Sequence, residues 1–378
     1  MRLEDFHDLR PYTDAEIPEA MERIASSEYL PLLGSYLYPQ LSLEQLKELI
    51  RSFKTTHDFQ MEIMHTACRY VVDHTLNYFQ CNGFKGLATE QSYLYVSNHR
   101  DIVLDAMLLQ LALTDEGFVT TEITFGANLM NPQLVVDIGL SNKMFKVERP
   151  NNYSPKEFYL HSRHLSDYLR FCINDKKQSL WIAQRNGRTK DGNDKTDPGI
   201  IRMFAMSGEG SFMDKIQSLN LCPIAVSYEW EPCALLKTKE LLARQQGPYE
   251  KHPGEDLNSI LTGIKSFKGG LEINICTPIN TDGLQLLSGL AEKEQITKLA
   301  ALIDKRIYSA YKLWPNNYVA ADLLNDSNTY STHYTPEQKQ VFINKMNEDI
   351  ANLHPQDAAR DIYLHMYANP VYNKHKIL

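Results

Sequence analysis

From about residue 90, the sequence alternates short apolar runs with segments of helical periodicity. Runs rich in β-branched and aromatic residues predict strands at 93–96, 122–126, 144–147, 179–183, 222–228 and 271–276. Helical patterns separate or follow them at 102–114, 132–140, 155–174, 199–218 and 233–245. This alternation predicts an α/β fold with a mixed, mostly parallel sheet flanked by helices. Such sheets bind ligands beyond the carboxyl ends of their strands.

Both ends of the chain have helical patterns. Residues 42–45 have the spacing of a capping box and precede apolar residues at helical intervals, and 58–79 predicts a second helix. Residues 292–313 and 336–353 return to helical periodicity. We therefore expect three regions, which are a helical N-terminal cap (1–85), an α/β core (86–285) and a helical C-terminal region packed on the core (286–378).

Composition excludes several classes of protein. With 378 residues and 43% apolar content, the chain can bury a large core. Its longest apolar stretches are shorter than the roughly 18 to 20 residues that span a bilayer. The first 30 residues are charged throughout, which favours a cytoplasmic protein. The six cysteines form no Cys-x-x-Cys pair, so we expect reduced thiols, no disulfide and no structural metal site.

The charge distribution is uneven. A net charge of −8 argues against nucleic acid as a partner. However, residues 143–190 contain eleven Lys or Arg against four acids. This basic block is either a set of solvated helix faces or a positive field that attracts an anionic substrate or an anionic membrane surface.

The segment 93–105 combines a buried strand with groups that could act in catalysis. The strand ends in Asn98-His99, and a helix is predicted to begin near Asp101. Asp101 and Asp105 are four residues apart, so both carboxylates lie on one helical face and could reach the imidazole. A carboxylate on one ring nitrogen makes the other a better general base. The alternative is that Asp101 only caps the helix and His99 is an ordinary loop residue.

At these residues the sequence resembles the glycerol-phosphate and lysophosphatidate acyltransferase superfamily. The first motif of that superfamily is a strand, then Asn-His, then an Asp five residues after the His. Asn98, His99 and Asp105 resemble it with one extra residue. Three further blocks follow in the family's order, at 143–149, at 180–189 with a tail at 190–196 that is similar to that of the glycerol-3-phosphate branch, and at 221–228. In the third block, Gln184 or Asn186 stands where the family has Glu.

The resemblance implies a role for each matching residue. His99 would be the catalytic base, oriented by Asp105 or Asp101. Arginines at matching positions would grip a phosphate, and backbone N–H groups near Gly187 would stabilise an oxyanion. The implied substrate-binding residues are Asn98, Arg100, Arg149, Gln184, Arg185, Asn186, Gly187 and Arg188.

The resemblance also implies the reaction. A fatty acyl group would move from acyl carrier protein or coenzyme A to a hydroxyl of glycerol-3-phosphate or lysophosphatidate, with no cofactor and no metal. The enzyme would act in phospholipid synthesis, peripherally on the inner face of the membrane. Two alternatives stay open: O-acylation of another lipid alcohol, and a non-catalytic protein of the same fold that binds acyl donor or lipid. A hydrolase of thioesters is a further rival.

Overall fold

One seven-stranded sheet organises residues 1–377, the part of the chain that the computed structural model describes. Its order is β1-β7-β6-β2-β5-β3-β4, and β6 with β7 is the antiparallel pair. This confirms the predicted mixed, mostly parallel sheet. The strands are β1 Leu76–Asn82, β2 Leu94–Ser97, β3 Glu122–Gly126, β4 Met144–Val147, β5 Leu180–Ala183, β6 Leu221–Tyr228 and β7 Gly269–Ile275.

Helices precede, interrupt and follow the sheet. The first group is α1 Ile17–Ala25, α2 Leu30–Leu37, α3 Leu43–Ser52, α4 Thr56–Phe59 and α5 Thr66–Thr75. The second is α6 Leu104–Asp115, α7 Gln133–Ser141, α8 Pro155–Phe171, α9 Pro198–Phe204, α10 Phe212–Gln217, α11 Ala234–Gln246, α12 Glu255–Lys265 and α13 Thr281–Gln285. The last is α14 Glu292–Ala310, α15 Pro315–Leu324, α16 Pro336–Ile350 and α17 Gln356–His375. None of these helices has both the length and the apolar character to cross a membrane.

Helices pack on both faces of the sheet, and successive side chains of a strand point to opposite faces. In β2, Leu94 and Val96 join a core cluster that contains residues of α8, α9 and α14. Tyr95 joins the opposite cluster, with residues of α5 and α6. This double burial explains why the central strands are continuous apolar runs.

Two helix predictions were wrong. The helix expected over 58–79 ends at Thr75, and residues 76–79 belong to β1, which pairs with β7 nearly 200 residues later. That pairing leaves no local signal in the apolar run. The helix expected over 199–218 divides into α9 and α10, because Gly208 and Gly210 have φ values of +86° and +83° that interrupt a right-handed helix.

The N-terminal helices are anchored to the rest of the chain by a buried carboxylate. Asp137 of α7 accepts hydrogen bonds from Arg23 of α1 at 2.8 to 3.2 Å and from the Tyr12 hydroxyl at 2.9 Å. α1 is thereby fixed against α7. The division into three regions at residues 85 and 285 stays a prediction, although β1 shows that residues before 85 contribute to the sheet.

Candidate functional site

The site lies at the carboxyl ends of three neighbouring parallel strands, β6, β2 and β5. Asn98 and His99 directly follow β2. The loop after β5 continues alongside them, since the Gln184 N–H donates to the Ser97 carbonyl at 2.8 Å and the Thr189 N–H donates to the His99 carbonyl at 2.7 Å. The first and third sequence blocks are therefore brought into direct contact.

Asp105, and not Asp101, is the partner of His99. The His99 Nδ1 lies 2.9 Å from the Asp105 Oδ2. Asp105 is in the first turn of α6 and reaches back past the extra residue of the motif. Asp101 instead caps that helix, since its Oδ1 accepts from the N–H groups of Val103 and Leu104, each at 3.0 Å. The predicted catalytic role of Asp101 does not fit this geometry, because its carboxylate is held by the helix N-terminus.

The hydrogen bonds to Asp105 keep it ionised. Its carboxylate is fully buried, and burial alone would raise its pKa. The hydrogen bond and charge of His99, the Asp101 N–H and the Tyr228 hydroxyl outweigh burial, so the pKa of Asp105 is lowered from its ordinary 3.8. An ionised carboxylate is an acceptor only, so Nδ1 of a neutral His99 carries the proton and Nε2 keeps its lone pair.

His99 lines a large cavity of about 630 Å³, within the size range of small-molecule sites. The His99 side chain is 14% exposed and packs edge-to-face against Trp181. Most of the cavity wall is apolar. The N-terminal helices contribute Ile24, Leu30, Leu46, Ile50, Phe59 and Ile63, and α6 and α12 contribute Ala106, Met107, Ile260, Leu261 and Ile264.

Cationic side chains line the same cavity. Arg149 donates to Asn128 Oδ1 at 3.0 Å, and burial lowers its pKa. Arg185 lines the cavity beside the exposed Asn186 and beside Gly187, whose φ is +73°. Arg188 is only 8% exposed, and its Nη1 has no hydrogen-bond partner within residues 1–377. A buried guanidinium N–H without an acceptor is costly, so an anionic ligand would find a prepared donor there.

Arg100 does not reach the cavity. Its guanidinium is fully buried, 2.7 Å from Asp194 Oδ2 and 3.1 Å from Glu231 Oε2. Lys237 completes this network through Glu231 and through the Arg100 carbonyl. The predicted contact of Arg100 with substrate does not fit, because all its neighbours are internal.

Asn98 and Gln184 are also interior residues. The Asn98 amide bridges the backbone of β6, donating to the Val226 carbonyl at 2.9 Å and accepting from the Val226 N–H at 2.7 Å. Gln184 is fully buried and accepts a long 3.4 Å hydrogen bond from Thr196. Neither side chain lines the cavity, so the predicted contact of these two residues with substrate does not fit this geometry.

Three residues of the site were not singled out from the sequence. Tyr228 donates its hydroxyl to Asp105 Oδ1 at 2.7 Å. Trp181 contacts His99, and Lys190 lines the cavity while paired with Glu240 at 2.9 Å. Trp181 and Tyr228 lie within β5 and β6, and Lys190 lies in the tail that follows the third block, so the only signal in the sequence was their place in or next to these blocks. Within residues 1–377, no cluster of three or more His, Cys, Asp or Glu is placed to hold a metal ion.

Comparisons with known proteins add little to this geometry. No protein-family description matches the sequence, and neither does any curated protein. Among solved structures, the chain is similar to the 1-acyl-sn-glycerophosphate (LPA) acyltransferase PlsC from Thermotoga maritima, with 11% sequence identity and a TM-score of 0.39. The comparison covers 78% of this chain and 95% of that one. Because the likeness is so distant, the proposals below depend on the site itself.

Substituting Asp105 tests the electrostatics of the pair. Since the folded pKa of Asp105 is below the unfolded one, its carboxylate stabilises the fold above about pH 4, and this stabilisation is lost as pH falls through the folded pKa. Asp105→Asn should therefore lower the free energy of unfolding by roughly 1 to 3 kcal/mol at neutral pH. The free energies of unfolding of the variant and the wild type, measured by urea unfolding, should become more similar in acid. Asp73→Asn, at an exposed site of α5, is the control. A difference in the free energy of unfolding between Asp105→Asn and the wild type that does not change with pH would contradict an ionised Asp105.

Proposed function

We propose that the protein transfers a fatty acyl group from a thioester of acyl carrier protein or coenzyme A to a hydroxyl of glycerol-3-phosphate or lysophosphatidate. The observation that carries the proposal is the position of the His99–Asp105 pair on an apolar cavity that also contains arginines. An enzyme of this kind needs a base, a channel for a hydrocarbon chain and a grip on phosphate. The cavity offers all three.

The chemistry requires one base and no protein nucleophile. His99 Nε2 would take the proton of the acceptor hydroxyl while the hydroxyl oxygen attacks the thioester carbonyl carbon. Asp105 would stabilise the imidazolium that forms, through Nδ1. The tetrahedral intermediate would then break its C–S bond, and the departing sulfur would take the proton back from Nε2. The balance is one ester formed, one thioester broken and a free thiol released.

The cations would hold the acceptor. Arg188 has a buried donor without a partner, and Arg149 and Arg185 line the same cavity. Guanidinium groups bind phosphate with paired, charge-assisted hydrogen bonds. A phosphate fixed there would present its glycerol hydroxyl near His99, and such positioning lowers the barrier by several kcal/mol.

The apolar walls would hold the acyl chain. Each buried methylene contributes about 0.8 kcal/mol to binding, so a cavity lined by aliphatic side chains favours a long chain over acetate. The N-terminal helices form a large share of these walls. They would therefore set which chain lengths fit.

Release of free thiol from a long-chain acyl-coenzyme A tests the proposal. With glycerol-3-phosphate or lysophosphatidate added, the wild type should release thiol, and His99→Ala should lower kcat by roughly 10²- to 10⁴-fold. His164→Ala is the control, since that histidine is paired with Asp8 on the surface of α8.

The other outcomes separate the rivals. Thiol release that does not need an acceptor would indicate a hydrolase, and release with an unphosphorylated lipid alcohol alone would indicate the other O-acyltransferase. Donor binding with no release under any of these conditions would indicate the non-catalytic protein. Full activity of His99→Ala would exclude the proposed base.

We further propose that the protein acts on an anionic bilayer through one face of α8, at the inner side of the membrane. Lys156, Tyr159, Leu160 and Arg163 follow the i, i+3, i+4, i+7 pattern of a single helix face. Tyr159 and Leu160 are 50% and 55% exposed, and both cations are exposed. His161 of the same helix lines the cavity. Apolar side chains flanked by cations favour an anionic lipid interface, next to which a lipid acceptor could enter.

Sedimentation with vesicles tests this face. The wild type should bind phosphatidylglycerol-containing vesicles better than pure phosphatidylcholine. Lys156→Glu with Arg163→Glu should weaken that binding roughly tenfold or more, since each cation near an anionic surface contributes about 1 kcal/mol. Val341→Ser, at an exposed apolar position of α16, is the control. Equal binding by all variants would contradict the assignment to α8.

A further inference from the structure

Tyr228 contacts Asp105 of the His99–Asp105 pair from within the core and does not line the cavity. It is the last residue of β6, it is 1% exposed, and its hydroxyl donates to Asp105 Oδ1 at 2.7 Å. Asp105 Oδ2 accepts the other three hydrogen bonds, from His99 Nδ1, the Arg100 N–H at 2.6 Å and the Asp101 N–H at 3.0 Å. Each oxygen of the carboxylate thus has its own set of donors.

This division fixes the orientation of the carboxylate. Three donors hold Oδ2 beside His99 Nδ1, and the Tyr228 hydroxyl restrains rotation of the carboxylate by holding Oδ1. The hydroxyl also stabilises negative charge on Oδ1, away from the imidazole. Since the carboxylate attracts the His99 proton through Oδ2, a donor on Oδ1 weakens that attraction.

We propose that Tyr228 is a positioning residue of the His99–Asp105 pair, and that its hydroxyl tunes how strongly His99 holds a proton. This inference depends on the proposed function, in which His99 is the base. The phenol itself does not line the cavity. Its action is transmitted entirely through Asp105.

Other charged groups near the pair are unchanged by a substitution at Tyr228. Asp101 and Arg100 lie on the segment before α6, Glu231 follows β6, and the Tyr311 ring follows α14 and packs against Arg100 at 5.6 Å. All four are buried and remain in Tyr228→Phe. A change in the titration of His99 is therefore attributable to the missing hydroxyl.

The test combines Tyr228→Phe with an NMR titration of the His99 imidazole in the full chain. Without the hydroxyl, Asp105 attracts the imidazolium proton more strongly. The titration should move to higher pH by about half a unit or more. The acid limb of the kcat/KM profile should move by the same amount, with a lower kcat and an unchanged KM. In an Asp105→Asn background, Tyr228→Phe should have no further effect on kcat.

Tyr95→Phe is the matched control, because it removes another buried phenol hydroxyl from the same core cluster. It should change neither the NMR titration of His99 nor the pH profile of kcat/KM. Identical His99 titrations in wild type and Tyr228→Phe would overturn the inference, whatever happens to stability. If the wild type has no acyl transfer activity, the proposed function fails, while the NMR titration still decides whether Tyr228 acts on the pair.

Discussion

A buried network of four charges holds the site together. Arg100 pairs with Asp194 and Glu231, and Lys237 pairs with Glu231 while donating to the Arg100 carbonyl at 2.6 Å. Buried charges are tolerated only when they are paired, so these groups must meet for the chain to fold. Arg100 adjoins His99, whereas Asp194 follows β5 and Glu231 follows β6. The network therefore fixes the three loops whose side chains surround the His99–Asp105 pair.

The site has a polar half and an apolar half, and each depends on a different part of the chain. The polar half is built on the ends of the strands, where Asp105 and the buried network of four charges hold its loops. The apolar half is lined largely by helices that come before β1, which are pinned through Arg23 and Asp137, together with α6 and α12. Because the cavity lies between the two halves, it could accept a molecule with a hydrocarbon end and a charged end. An acyl thioester and a phosphorylated alcohol together match that division.

The sequence predicts elements that local patterns determine, but not contacts between residues that are far apart in the chain. Six strands follow from short apolar runs, and His99 follows from its position after a buried strand. β1 could not be predicted, because its partner β7 is nearly 200 residues away. The choice of Asp105 over Asp101 depends on the bend before α6. Arg100 was expected at a substrate, since no sequence pattern indicates that its partners are almost 100 and more than 130 residues further along.

The proposed acyl transfer at His99 is tested most directly by a crystal structure with a non-hydrolysable long-chain thioether analogue of acyl-coenzyme A. The hydrocarbon chain of the analogue should occupy the apolar cavity. The carbon that replaces the thioester carbonyl should lie near His99 Nε2, with room between them for one hydroxyl at about 3 Å from each. A chain bound outside the cavity, or a head group remote from His99, would contradict a role of the His99–Asp105 pair in acyl transfer.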